Sequence, residues 1–136
     1  MNFVNHDAVW TTAVSLDGKR QWQTKISNYV IHQGYGSSPL IYGPLAIVMA
    51  DNKGGGAIAG LDRVSGDIIW RQERPKLPNY PSPAILHIGG RDQVLLSGCD
   101  LVTSFDPLSG KKIWETAGST TECVTTTVTD GRLIFT

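Results

Sequence analysis

Two stretches of this chain are near copies of each other, 44 residues apart. Gly60-Leu61-Asp62-Arg63-Val64-Ser65-Gly66-Asp67-Ile68-Ile69-Trp70 is followed by Ser104-Phe105-Asp106-Pro107-Leu108-Ser109-Gly110-Lys111-Lys112-Ile113-Trp114. A shortened version, Ser15-Leu16-Asp17-Gly18-Lys19-Arg20-Gln21-Trp22, precedes both. Each reads as a strand, a tight loop and a returning strand. A strand-built repeat with a period of about 40–45 residues predicts a propeller-type array, because one such unit cannot bury its own apolar face.

The repeated hairpin has a local cause. Asp62 and Asp106 stand at a strand end, where a short carboxylate can accept the backbone N–H groups of the turn behind it. Pro107 suits the first corner of a type I turn. Gly66 and Gly110 supply the positive φ that closes the loop, and Asp17-Gly18 does so in two residues. A Trp follows each glycine by four residues, at the same place in every copy. Its large flat face is expected to be mostly buried and to pack one unit against the next.

In chain order, strands are expected over 7–16 and 21–26, then 37–42, 45–50, 57–61 and 67–72. A further set follows over 82–86, 93–97, 101–105 and 112–116, then 122–129 and 132–136. The run Leu45 to Ala50 is continuously apolar, as a strand covered on both faces should be. Ser38, Pro39, Ile41, Gly54, Asp62, Ser65, Gly66, Ile69 and Trp70 recur unchanged 44 positions later, and Thr126-Thr127 takes the Ser-Pro place in the next unit. No helical periodicity of useful length occurs. The fold class is therefore all-β: consecutive four-stranded antiparallel blades. A half-blade spans 7–26, full blades span 37–72 and 81–117, and a half-blade spans 122–136.

The pattern Asp-x-x-[Ser/Thr]-Gly-x-x-x-Trp at Asp62–Trp70 and Asp106–Trp114 resembles the repeat of the PQQ-like β-propellers. That group includes quinoprotein alcohol dehydrogenases and an outer-membrane-assembly lipoprotein. The resemblance covers essentially the whole chain. WD40 repeats have a similar period, but Trp70 is followed by Arg71 and Trp114 by Glu115, so their Trp-Asp pair is absent. Kelch repeats are longer. The resemblance implies a longer propeller, of about seven or eight blades, of which this chain is an excerpt. Two copies sharing their halves in a six-bladed ring is the alternative. It also implies an exported protein, periplasmic or extracellular.

Composition limits function more than it assigns it. Twelve basic and twelve acidic residues give zero net charge, so nothing favours nucleic acid or an anionic membrane. No apolar run approaches bilayer-spanning length, and Met1 to Asp7 lacks the basic and apolar features of a signal peptide. Cys99 and Cys123 are too few and too far apart in sequence to assign a compartment. Both are read as small buried side chains, with a disulfide as the open alternative.

No catalytic, cofactor-binding or metal-ligating residue stands out. His6-Asp7 has no substrate-side partner and reads as an exposed strand start. His32, among Tyr29, Gln33 and Tyr35, reads as a loop residue satisfying its neighbours. His87 reads as structural, at the end of an inner strand. Gly34 to Ser38 and Gly54 to Gly56 match no phosphate-binding pattern, since no helix follows them. Asp51-Asn52 and Cys99-Asp100 hold equivalent loops, but isolated acids do not make a calcium cage. The dehydrogenases of the resembling group bind pyrroloquinoline quinone and calcium, many against an adjacent-cysteine disulfide; this chain has no adjacent cysteines and no acid that aligns with their catalytic Asp. The expected function is a non-catalytic binding or scaffold segment without cofactor. It would pair with further blades of the same propeller or with a protein at the blade-edge loops. A piece of a quinone-dependent dehydrogenase is the alternative.

Overall fold

The computed structural model describes all residues, 1–136. It contains thirteen strands and no helix. The first sheet is β1 (Asn2–Asn5), β2 (Ala8–Val14) and β3 (Arg20–Asn28). The second is β4 (Leu40–Tyr42), β5 (Leu45–Met49), β6 (Gly56–Asp62) and β7 (Ile68–Arg74). The third is β8 (Ala84–Ile88), β9 (Arg91–Gly98), β10 (Leu101–Phe105) and β11 (Lys112–Ala117). A two-stranded sheet, β12 (Val128–Thr129) and β13 (Ile134–Phe135), ends the chain. Every pairing is antiparallel and follows chain order, the blade architecture expected from the repeat.

Three expectations need correction. The opening unit has a third strand, Asn2–Asn5, whose Phe3 and Val4 pair with Trp10 and Val9. His6-Asp7 is consequently the turn between β1 and β2, not a strand start. The closing strands are far shorter than 122–129 and 132–136, because they have only each other to pair with. The third correction concerns register. Leu61 pairs with Ala46 and Phe105 with Val94, so the third strands are 44 residues apart but the second strands are 48 apart. The third sheet has four extra residues in its first hairpin, between Leu86 and Gln93, and four fewer in the next loop. The two changes cancel, which preserves the overall period. The match of Gly54 with Gly98 is therefore not a structural equivalence.

The cores lie between sheets, and β5 explains how. Its Leu45, Ile47 and Met49 meet Val94, Leu96 and Phe105 of the third sheet, while Val48 and Ala50 meet Val9 and Ile26 of the first. Alternate side chains point to opposite faces of a strand. A strand with a neighbouring sheet on each side thus has no solvent face, and all of Leu45–Met49 is buried.

The tryptophans are the joints between sheets. Trp70 Nε1 donates to Pro107 O at 3.2 Å, and Trp22 Nε1 donates to Arg63 O at 3.1 Å, each in the next sheet's hairpin. The ring lies flat on that hairpin's glycine: a Cβ on Gly110 would stand 2.3 Å from Trp70, and one on Gly66 would stand 2.5 Å from Trp22. Both glycines also sit at positive φ, +68° and +81°, so two independent requirements meet at one position. Trp70 is 7% exposed. Trp114 is only half-buried, against expectation. Its Nε1 turns to Gln93 Oε1 of its own sheet at 2.9 Å, since no equivalent hairpin faces it.

Candidate functional site

A four-stranded meander puts its first and last hairpins at one end. The middle loop and the connection to the next blade lie at the other. The connection end of this chain gathers Asp51 and Asn52 after β5, Arg74 at the end of β7, Asn79 in the following connection, and Cys99 in the β9–β10 turn. Arg74 Nε lies 2.9 Å from both Asp51 oxygens, with both side chains almost fully buried. Asn79 Nδ2 donates to Asp51 Oδ2 at 3.2 Å and to Ser97 O at 2.8 Å, while its Oδ1 accepts Cys123 N at 3.1 Å. Arg74 Nη1 reaches Thr103 Oγ1 at 3.4 Å. One ion pair thus ties the second sheet, the third sheet and both following connections.

Electrostatics make this a clamp rather than a reactive centre. Burial pushes the Asp51 carboxyl above its usual range, opposed by the Arg74 guanidinium and by hydrogen bonds from Arg74 and Asn79. The Cys99 thiol, 3.6 Å from Asp51 Oδ2, is pushed up to about 12 by burial and by that carboxylate. A thiol held that high is protonated at neutral pH and is a poor nucleophile. Cys99 and Cys123 are both free thiols. Cys99 and Asp100 occupy the left-handed region, at φ of 59° and 65°, as a two-residue turn that matches strand twist requires.

The surface of the same end is mixed. His32 Nε2 lies 3.0 Å from Glu122 Oε1, and its Nδ1 lies 3.1 Å from Lys53 Nζ. Connections on either side of two blades therefore meet here. On those connections Val30, Ile31 and Val124, within two residues of His32 or Glu122 in sequence, are 51%, 78% and 76% exposed. Asn52 fixes the loop beneath: its Oδ1 accepts Val30 N and Gly54 N, and its Nδ2 donates to Asn28 O, Ala50 O and Gly55 O.

The residues considered from sequence fall as follows. His6 is exposed in its turn, at φ of 55°. His32 bonds to Glu122 and Lys53, not to Tyr29, Gln33 or Tyr35; the Tyr35 hydroxyl instead donates to Met49 O and accepts from Asn2. His87 Nδ1 lies 2.7 Å from Asp92 Oδ1 on an exposed edge. Gly54 and Gly56 are close-approach positions, where a Cβ would stand 2.7 Å from Val30 N and 2.2 Å from Pro75 O. Asp100 Oδ1 accepts from Thr121 Oγ1 at 2.8 Å. No group of three or more His, Cys, Asp or Glu side chains is placed to hold a metal ion. Arg74 and Asn79 were missed. The available signal was departure from the repeat, since Gly118 stands 44 residues after Arg74.

A family model described as outer membrane protein assembly factor BamB matches residues 8–135. The chain belongs to that family. Among solved structures, BamB from Moraxella catarrhalis superposes with a TM-score of 0.56 at 21% identity, over 82% of this chain and 33% of that one. A europium-containing methanol dehydrogenase gives 0.56 at 13%, over 85% and 24%. Quinohemoprotein alcohol dehydrogenase from Comamonas testosteroni gives 0.52 at 15%, over 85% and 20%. These likenesses establish the propeller fold, and the chain spans a third or less of each of those proteins. A search of curated proteins returns no match. No helix is long and apolar enough to cross a membrane.

Proposed function

We propose that this BamB-family segment is a non-catalytic, cofactor-free binding module that presents its connection end to a protein partner. The observation that carries this reading is that Val30, Ile31 and Val124 are exposed on the two connections that the His32–Glu122 ion pair joins. Exposed aliphatics gathered about a polar centre are the surface chemistry of protein docking. The buried Asp51–Arg74 clamp beneath holds that surface in place and leaves its own charges unavailable for chemistry. The family description, with its outer membrane protein assembly factor, supports action outside the cytoplasm, in the periplasm or at the cell exterior.

The test uses the intact protein in cells. A photo-crosslinking residue at Ile31 or Val124 is expected to give one discrete protein adduct, and the same residue at exposed Leu16, at the opposite end, none. Equal adducts at both ends would overturn the reading. The second reading, a segment of a quinone-dependent dehydrogenase, draws on the fold likeness to the two dehydrogenases. Adding pyrroloquinoline quinone and calcium separates the two. A bound-cofactor absorbance with alcohol-dependent dye reduction would favour the enzyme.

A further inference from the structure

The opposite, hairpin end of the third sheet carries an open cavity of about 270 Å³ lined by Arg91, Asp106, Ser109, Lys111, Lys112 and Ile113. Three of the six are cations, in a chain with no net charge. They are not inherited from the repeat. Asp67 and Ile68 occupy the places of Lys111 and Lys112 in the second sheet, and Arg91 belongs to the lengthened hairpin that the second sheet lacks.

The nearby carboxylates are already engaged. Asp92, beside Arg91 in sequence, accepts from the Tyr42 hydroxyl at 2.8 Å and faces His87 Nδ1 at 2.7 Å. Asp106 Oδ1 accepts Leu108 N, Ser109 N and Ser109 Oγ. Glu115 takes Lys112 at 2.9 Å and Thr103 Oγ1 at 3.1 Å. Arg91 and Lys111 form no ion pair. The hairpin is nonetheless held: Tyr42 of the second sheet braces it through Asp92, and Gln93 Nε2 donates to Ile88 O at 2.8 Å. The Arg91 guanidinium and the Lys111 ammonium both line this cavity with neither in an ion pair, and Arg is the side chain whose planar fork fits an oxyanion.

We propose that this cavity binds a compact oxyanion of the phosphate class, held by Arg91 and Lys111 with Lys112 at its edge. The site is at the other end of the blades from the docking patch and stands independently of it. Phosphate supplies the charge and the several acceptor oxygens that two separated cations require. The single carboxylate in the wall, Asp106, is turned into its own hairpin.

Equilibrium dialysis of the full chain against labelled inorganic phosphate, at ionic strength fixed with sodium chloride, tests the site. One saturable site per chain is expected. Arg91→Gln and Lys111→Gln are each expected to weaken it by about fivefold or more, Arg91→Lys to retain part of it, and Lys25→Gln to leave it unchanged. All three positions are exposed, and unaltered circular dichroism confirms that the four variants fold. A parallel arm with glycerol phosphate distinguishes a free ion from an organic phosphate ester, and saturable binding of either supports the site. Absence of saturable binding up to about 10 mM, or an equal loss in Lys25→Gln, would overturn it.

Discussion

At the scale of single residues, Trp70 and Gly110 form one unit of two sheets. The indole is buried on a neighbour's glycine and gives its N–H to that neighbour's backbone. Truncating Trp70 to Ala is expected to cost about 3–5 kcal/mol in chemical denaturation, and truncating half-buried Trp114 clearly less. Equal costs would show that the joint is not what Trp70 supplies. Gly110→Ala tests the other half. Gly18 has the same left-handed backbone but open space at its Cβ, so Gly18→Ala is expected to show only left-handed strain, about 1–2 kcal/mol. Gly110→Ala adds a clash with a buried ring and is expected to lose substantially more. The cysteines differ in burial, and Cys99 also lies beside the Asp51 carboxylate. Native protein is expected to modify rapidly with a thiol reagent at Cys123 and slowly at Cys99, and denatured protein equally at both.

At the scale of elements, three hairpins owe their shape to Asp carboxylates that accept backbone N–H groups. Val64 N and Ser65 N donate to Asp62, Leu108 N and Ser109 N to Asp106, and Arg132 N and Leu133 N to Asp130. Those backbone donors, with the Ser109 hydroxyl at Asp106, hold the three carboxyls below the usual carboxylate range. A lowered folded-state pKa contributes stability that is complete above the unfolded value, near 3.9. That stability is lost as pH falls through the folded values. Protection of the amides in all three hairpins, measured relative to the intrinsic exchange rate at each pH, is therefore expected to fall below about pH 4. Protection that stays constant there would contradict the assignment. The clamp between elements responds differently. Arg74→Met strands the buried Asp51 carboxylate, and the expected loss is about 3–5 kcal/mol, measured by denaturant midpoint.

At the scale of the whole molecule, the sheets stack face to face, so stability passes from neighbour to neighbour as in other repeat arrays. The outward face of the third sheet has Trp114 half-exposed, and the last sheet presents Val128, Leu133 and Phe135 at 53%, 60% and 49% exposure. Such faces and edges are templates for association. Light scattering coupled to size exclusion is expected to give a mass above that of one 136-residue chain. A discrete dimer would point to two copies closing a ring, and a clean monomer would refute association.

The sequence by itself determined the all-β class, the blade order, the hairpins and the role of Trp70. These rest on short-range physics: alternation along a strand, the left-handed glycine of a turn, an Asp that accepts its own turn's N–H groups. It did not show β1, because Asn2–Asn5 becomes a strand only by pairing with β2. It did not show the register shift either, since four residues gained in one hairpin and lost in the next loop leave the period at 44. The partners of Asp51 are Arg74, Asn79 and Cys99, 23, 28 and 48 residues away; strand pairing within the second sheet brings in Arg74, and the packing of the third sheet and its connection brings in the other two. The cation cavity is of the same kind. Arg91 opens β9 and Lys111 lies in the β10–β11 hairpin loop of the same sheet, and nothing in their separate sequence contexts places them on one wall.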